Sequence, residues 1–157
     1  MIRPALHDDM PALRALTHAC YSQLLAADYP AATLRAALPH MCAVDAGYLT
    51  AAHYRVWDDD GAGPVGAVGW SARDDTSAEV RKLATHPDHL RRGIARALMA
   101  SIEQDAAIQG HKVMHCASSL TAVPFYISCG YTVIGPDQIE TGQAGVVFAI
   151  VQLSKAI

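Results

Sequence analysis

The hydrophobic and polar positions of this chain follow two periods in turn, one typical of strands and one typical of helices. Apolar residues recur at helical spacing over 10–25, and again after Arg92, where Ile94, Leu98 and Ile102 form an i, i+4 stripe. Gly110 provides a natural stop for that second helix. Shorter apolar runs bounded by turn residues predict strands around these helices.

The predicted elements alternate in a way that indicates the fold class. In chain order we predict strand 2–5, helices 10–25 and 31–41, strands 50–57, 64–72 and 77–85, a long helix between Arg92 and Gly110, strand 113–117, helix 122–129, and strands 131–134 and 146–153. Strand–helix–strand connections at the centre of this order predict a mixed α/β sheet. The run 146–153 is almost continuously apolar, which predicts a strand buried on both faces.

Length and composition limit the range of functions. The chain has 157 residues, of which 52% are apolar and 17% charged, so we expect one compact domain spanning 1–157. A formal net charge of −3 gives no support for binding to nucleic acid or to a membrane surface. No apolar run approaches the roughly 20 residues needed to span a bilayer, and the N-terminus has no apolar signal core. We therefore expect a cytoplasmic protein.

Cysteine and histidine spacing does not indicate a metal site. The four cysteines are widely separated and form no Cys-x-x-Cys motif, which predicts reduced thiols with packing roles. His111 and His115 lie four residues apart on a predicted strand, hence roughly 13 Å apart at about 3.3 Å per residue. Zinc ligands lie about 2.0–2.3 Å from the ion, so this pair cannot share one. We expect no metal.

Basic residues concentrate in one segment of this acidic chain. Five of the twelve Lys and Arg residues fall between Arg81 and Arg96. The segment is predicted as a strand, then a loop with Arg91, Arg92 and Gly93, then a helix. A helix N-terminus offers unpaired N–H groups and about half a positive charge, so the arrangement favours a bound phosphate. Gly93 is the loop's only glycine, so neither a P-loop nor a dinucleotide fingerprint is present.

Two segments within this element order resemble the GNAT superfamily of acyl-CoA-dependent N-acetyltransferases. The first, 90–95, is similar to the family's pyrophosphate signature, although Leu90 replaces its leading Gln or Arg. The second, 122–131, resembles a family helix in which a Phe-Tyr pair is followed by Gly and an aromatic residue. The resemblance implies a twisted mixed sheet of about seven strands, with splayed central parallel strands and about four flanking helices.

The resemblance also implies where acetyl-CoA would bind. Backbone groups of one strand would hold the pantetheine arm, and the arginine-rich loop would hold the pyrophosphate. The implied cofactor contacts are Leu83, Ala84, Thr85, Arg91, Arg92, Gly93, Ile94, Ala95, Arg96 and Ser119. Ser119 stands where the family often has an Asn, and Leu90 departs from the signature, so we expect weakened rather than lost cofactor binding.

Acyl transfer to an amine needs a base for the amine and a proton donor for the leaving thiolate. Tyr126 resembles the family's thiolate-protonating tyrosine, and a phenol of pKa about 10 beside a thiolate of about 8.5 is a plausible pair. Glu79 is a candidate base, acting directly or through water. His115 is a second candidate, with an ordinary pKa near neutrality.

The sequence therefore predicts an N-acetyltransferase that moves an acetyl group from acetyl-CoA to a primary amine by direct attack in a ternary complex. The acceptor would be a small molecule or a peptide. The alternative is a non-catalytic domain that binds or senses acyl-CoA, which the intact pair of Phe125 and Tyr126 disfavours. A homodimer formed through the apolar C-terminal strand is also possible.

Overall fold

The computed structural model describes residues 1–51 and 53–157, which form one mixed seven-stranded sheet with helices on both faces. The strands are β1 (Ile2–Pro4), β2 (Tyr54–Asp58), β3 (Pro64–Ala72), β4 (Ser77–Thr85), β5 (Val113–Ser119), β6 (Thr132–Glu140) and β7 (Val147–Ala156). The α-helices are α1 (Met10–Leu24), α2 (Ala31–Met41), α3 (Ala46–Thr50), α4 (Ile94–Ile108) and α5 (Val123–Ser128). The predicted fold class is confirmed.

The sheet opens at its centre. Its strand order is β1-β2-β3-β4-β5-β7-β6, and only β4 and β5 run parallel. Those two strands pair only from Ser77 with Val113 to Glu79 with His115. Beyond this point β5 stays paired with β7 as far as Ser119, while β4 diverges. The predicted splay of the central strands is therefore present, and it opens at their carboxyl ends.

Helices cover the two faces of the sheet with separate cores. On one face the predicted stripe of Ile94, Leu98 and Ile102 is fully buried, and α4 packs there against Trp70 and Met114. On the other face, α1 packs on β3 and β4, and α2 packs on β7. Each helix therefore buries its apolar side against the sheet, as helical periodicity requires.

Two predicted boundaries differ most from the structure. The strand predicted over 50–57 begins only at Tyr54, because its predicted first residue, Thr50, is the last residue of α3. The Asp45 side chain accepts a hydrogen bond of 2.7 Å from the Gly47 N–H and so starts that helix. The strand predicted over 131–134 continues to Glu140. Pro136 does not end it, because β6 is an edge strand and has a register shift next to Gly135.

The C-terminal strand is not buried on both faces as predicted. Phe148 and Ile150 pack under α2, whereas Leu153 packs in the core under α4. Val147 is 42% exposed, because neither helix layer covers that end of the strand on both sides. β7 also lies inside the sheet, between β5 and β6.

Gly66 allows α4 to pack closely on β3. A Cβ atom at this position would lie 2.5 Å from Ile94 Cγ2 and 3.0 Å from Leu98 Cδ1. We expect Gly66→Ala to lower the free energy of unfolding by about 1–3 kcal/mol, because the overpacked helix must move. Urea denaturation measures this effect. Gly135→Ala is the matched control, since nothing lies within 4 Å of its added Cβ, and an equal loss in both variants would contradict the packing argument.

None of the described helices is long and apolar enough to cross a membrane.

Candidate active site

A cavity of about 760 Å³ occupies the opening between β4 and β5. One end, here called the phosphate end, lies at the start of α4 and is lined by His89, Leu90, Arg91, Gly93, Ala95 and Arg96. The opposite end, here called the acceptor end, is lined by Cys20, Tyr21, Leu24, Leu25, Met41 and Lys82. The carboxyl ends of β4 and β5 and the helix α5 form the walls between the two ends.

The phosphate end is built from a tight loop and a helix N-terminus. Gly93 has φ +79° and Arg91 has φ +60°, so two residues of this short loop are left-handed. The hydrogen bonds of α4 begin with the Ala97 N–H donating to the Gly93 carbonyl at 3.0 Å. The first N–H groups of the helix precede that bond and have no intrahelical acceptor. They are suited to an anion.

The three arginines of this segment do not point the same way. Arg91 and Arg96 line the cavity. Arg96 is held in place because its guanidinium donates to the carbonyl and the hydroxyl of Ser128, both at 2.9 Å. Arg92 is absent from the cavity lining and lies 3.2 Å from Asp59 Oδ2 and 2.6 Å from His89 Nδ1. Two of the three predicted phosphate contacts therefore face the cavity.

The β4 backbone is irregular where it borders the cavity. Lys82 has φ +53°, and the register with β3 shifts at this point. The hydroxyls of Tyr54 and Tyr21 donate to the carbonyls of Lys82 and Leu83, at 3.3 and 2.9 Å. Leu83, Ala84 and Thr85, the predicted pantetheine strand, all line the cavity.

Tyr126 lies on α5 and lines the cavity, although its side chain is only 5% exposed. Its ring packs edge-on between Phe125 and Tyr131, which fixes its direction. Burial raises the pKa of Tyr126 well above its ordinary value, and the neighbouring Cys116 adds to the shift. Burial also raises the pKa of Cys116 to about 12. The hydroxyl therefore stays protonated at neutral pH, and Cys116 is a poor nucleophile.

Glu79 and His115 are brought together, but outside the cavity lining. They are register partners at the last paired position of β4 and β5. Glu79 Oε2 lies 2.9 Å from Arg81 Nη2, and Arg81 Nε donates to Ser71 Oγ at 3.0 Å. Neither candidate base therefore contacts the cavity directly, and a role for Glu79 would require a connecting water or an acceptor that extends beyond the cavity.

Ser119 lines the cavity at the end of β5. Its hydroxyl accepts a hydrogen bond of 3.2 Å from the Ala122 N–H, at the start of α5. The remaining lone pair and proton of the hydroxyl are the only side-chain groups it can offer to a ligand.

Lys82 and Cys20 line the cavity and were not predicted. The signal for Lys82 was the pair of adjacent charged residues, Arg81 and Lys82, inside an otherwise strand-like run. Two consecutive polar positions break the strand period of two, which is typical of a bulge. Cys20 had no such signal, because it lies on the apolar side of α1. Within the described residues, no group of three or more potential metal ligands occurs.

A model of the acetyltransferase (GNAT) domain matches residues 26–151. The chain therefore belongs to this family, and acetyl transfer is its class of activity. No curated protein sequence matches it significantly.

Solved structures share this fold along the whole chain. A GCN5-related N-acetyltransferase from Rhodopseudomonas palustris has 22% identity and a TM-score of 0.82, covering 100% of this chain and 95% of the other. The PaiA N-acetyltransferase from Thermoplasma acidophilum, solved with coenzyme A, has 13% identity, a TM-score of 0.75 and coverage of 100% and 98%. A ribosomal-protein-alanine N-acetyltransferase from Brucella melitensis has 18% identity and a TM-score of 0.67, covering 100% of this chain and 99% of the other. At these identities the similarity shows the fold.

Proposed function

We propose that this protein transfers the acetyl group of acetyl-CoA to a primary amine by direct attack in a ternary complex. One observation supports this most strongly: the phosphate end and the buried hydroxyl of Tyr126 belong to the same cavity. A donor thioester bound along this cavity would have its phosphates at one helix end and its sulfur near a proton donor. The non-catalytic alternative has no use for a buried, protonated tyrosine at that position.

The residues present fit acetyl-CoA. Thr85 Oγ1 is buried without a hydrogen-bond partner among the described residues, although Thr85 lines the cavity. Because this atom is fully buried, the fit to acetyl-CoA rests on the free N–H groups at the start of α4 and on the irregular β4 backbone beside the cavity. Arg91 and Arg96 would bind the phosphates, with the first N–H groups of α4, and the backbone of Leu83 and Ala84 would hold the pantetheine arm. Acetyl-CoA supplies the activated acetyl group.

The proposed chemistry moves two protons. Glu79, whose carboxylate lies 2.9 Å from the Arg81 guanidinium, accepts a proton from the acceptor ammonium through water. The neutral amine then forms the C–N bond with the acetyl carbon as the C–S bond breaks. Tyr126 donates its proton to the departing sulfur and regains one, through solvent, from the newly acylated nitrogen, while Glu79 releases its proton to solvent. The products are the N-acetylated amine and free coenzyme A.

Burial affects the pKa of both groups in the proton transfer from Tyr126 to the leaving sulfur. A phenol with a raised pKa is a weak acid for a thiolate of about 8.5 in water. In this cavity, however, burial raises the pKa of the Cys116 thiol to about 12, beside Tyr126. A leaving thiolate in the same surroundings is likewise more basic than in water. Desolvation therefore raises the pKa of the leaving thiolate in the same direction as that of Tyr126.

The proposal is tested by measuring thiol release from acetyl-CoA with a panel of amines. The panel contains amino acids, their amides, simple alkylamines, spermidine, an aminoglycoside and a peptide with a free N-terminus. We expect amine-dependent thiol release with stoichiometric N-acetyl product, identified by mass spectrometry. Tight acetyl-CoA binding without turnover for any acceptor would instead favour the acyl-CoA-binding alternative.

A further inference from the structure

Four basic side chains line the cavity. They are Lys82, His89, Arg91 and Arg96, and no Asp or Glu lines the cavity within the described part of the chain. His89, Arg91 and Arg96 lie at the phosphate end, where coenzyme A has its anionic groups. Lys82 lies at the acceptor end, three residues before Thr85 on β4. The phosphates therefore account for three of the basic residues and leave Lys82 without an anionic partner.

The structure holds the Lys82 ammonium in a defined position. The side chain crosses to the C-terminus of α2, where Nζ donates to the carbonyls of His40 at 3.1 Å and Met41 at 2.9 Å. Its backbone, at φ +53°, is strained for a residue with a side chain. An ammonium has three N–H donors. Two are used by the helix, so one remains for a ligand in the cavity.

No carboxylate neutralises this ammonium. Neither a hydrogen bond nor an ion pair joins Lys82 to an acidic side chain over residues 1–51 and 53–157, and its recorded hydrogen-bond acceptors are the two carbonyls. Burial lowers the pKa of Lys82, so its charged form is destabilised where it stands. A half-buried cation of this kind is stabilised by an anion that completes its set of hydrogen bonds.

The surface around Lys82 at the acceptor end is largely apolar. It is formed by Cys20, Leu24 and Leu25 from the first helix and its end, and by Met41 from the second. The Tyr21 hydroxyl is already bonded to the Leu83 carbonyl, so this residue presents mainly its ring. An acceptor that fits here has an anionic group for Lys82 and an apolar group for these side chains.

We propose that Lys82 binds the carboxylate of the acceptor, so that the substrate class is amino acids with apolar side chains. This inference rests on the proposed function and makes it more specific. The acceptor's α-amine would lie near the acetyl group while its carboxylate contacts Nζ. A polyamine or aminoglycoside would instead bring several positive charges into a cavity lined by basic side chains and, within the described residues, by no Asp or Glu, which opposes binding.

The experiment compares acceptors that differ only in the carboxyl group. Leucine, leucinamide and isopentylamine share one apolar side chain, as do phenylalanine, phenylalaninamide and phenethylamine. We expect kcat/KM for each acid to exceed that of its amide and amine by about 10- to 100-fold, the effect of a charge-assisted hydrogen bond. The amide loses its ammonium proton more readily than the acid, so chemistry alone would favour the amide.

Substitutions separate recognition from a structural role. Lys82→Met should remove the preference, lowering kcat/KM about 10- to 100-fold for leucine while changing that for leucinamide little. Lys82→Arg, which keeps the charge and can still bond to the α2 carbonyls, should retain part of the preference. Lys112→Met is the matched control, since Lys112 is exposed and outside the cavity. Acetyl-CoA affinity, measured on each variant, reports whether the cavity is intact.

Each contrary result identifies what failed. Equal use of acid and amide by the wild type, or an equal loss for both in Lys82→Met, would overturn carboxylate recognition. Efficient acetylation of spermidine would also overturn carboxylate recognition, but it would support the proposed acetyl transfer to amines. Acetyl-CoA binding without turnover for any acceptor would overturn the proposed function itself, and this inference with it.

Discussion

Reversing the charge of both cavity arginines, in the double variant Arg91→Glu with Arg96→Glu, is expected to raise the Kd for acetyl-CoA by about a thousandfold. Both side chains line the phosphate end. A hydrogen bond to a charged group contributes about 1.5–3 kcal/mol, so losing two corresponds to a factor of about 10² to 10⁴. The new carboxylates add repulsion. Titration calorimetry on wild type and variant measures the change.

Two single substitutions act as controls. Arg92→Glu should weaken binding far less, by about tenfold or below, because Arg92 is already paired with Asp59 and lies outside the cavity lining. Arg35→Glu, on the exposed side of α2, should leave the Kd unchanged. Unaltered affinity in the double variant, or an equal loss in Arg92→Glu, would show that the phosphates bind elsewhere.

The contrast among the three arginines shows what a sequence pattern can and cannot predict. The strand, loop and helix around Gly93 followed from periodicity and one turn residue, and the structure contains all three. The direction of each arginine depended on contacts that are remote in sequence. Asp59 lies in the turn between β2 and β3 and pairs with Arg92, and Ser128 at the end of α5 holds Arg96. No local pattern encodes those pairings.

The long periodic helices and strands could be predicted from the sequence. Which of their faces are covered depended on how other elements pack against them. The stripe of Ile94, Leu98 and Ile102 predicted a helix and the face it buries, because packing against a sheet requires that spacing. The apolar run 146–153 predicted a strand but not its burial. Phe148 and Leu153 are covered by helices on opposite faces at opposite ends of β7, which depends on where α2 and α4 cross the sheet.

The residues that line the cavity were easiest to predict where the backbone of a strand forms its wall. Leu83, Ala84 and Thr85 line the cavity because the central strands separate there. Glu79 was predicted from its position at the start of the same strand, yet its side chain lies outside the cavity lining and pairs with Arg81. Side chains normally alternate between the two faces of a strand, but the irregular backbone at Lys82 interrupts this alternation. The face on which Glu79 lies therefore could not be inferred from the residues at the other end of β4.

Replacing the proposed proton donor, in Tyr126→Phe, is expected to lower kcat by about 10²- to 10³-fold, the usual contribution of a positioned general acid. The ring keeps its contacts with Phe125 and Tyr131, so the Kd for acetyl-CoA should change little. Because the pKa of Tyr126 is raised well above its ordinary value, its proton is retained as pH increases. The wild-type rate should therefore show no fall from ionisation of this phenol near pH 10.

Tyr131→Phe is the matched control for this result. Tyr131 is also a buried phenol beside the same ring, but its hydroxyl donates to Glu103 Oε1 at 3.0 Å, outside the cavity lining. We expect a loss of about 1–3 kcal/mol in the free energy of unfolding, because Glu103 Oε1 loses its donor while Oε2 stays paired with Lys155, and little change in kcat. If instead both variants lost activity equally, the effect of Tyr126 would be one of packing. If Tyr126→Phe retained full kcat, the thiolate would take its proton from water. Tyr126 would then not be the general acid, and the burial that raises the pKa of Cys116 would have no bearing on the proton transfer.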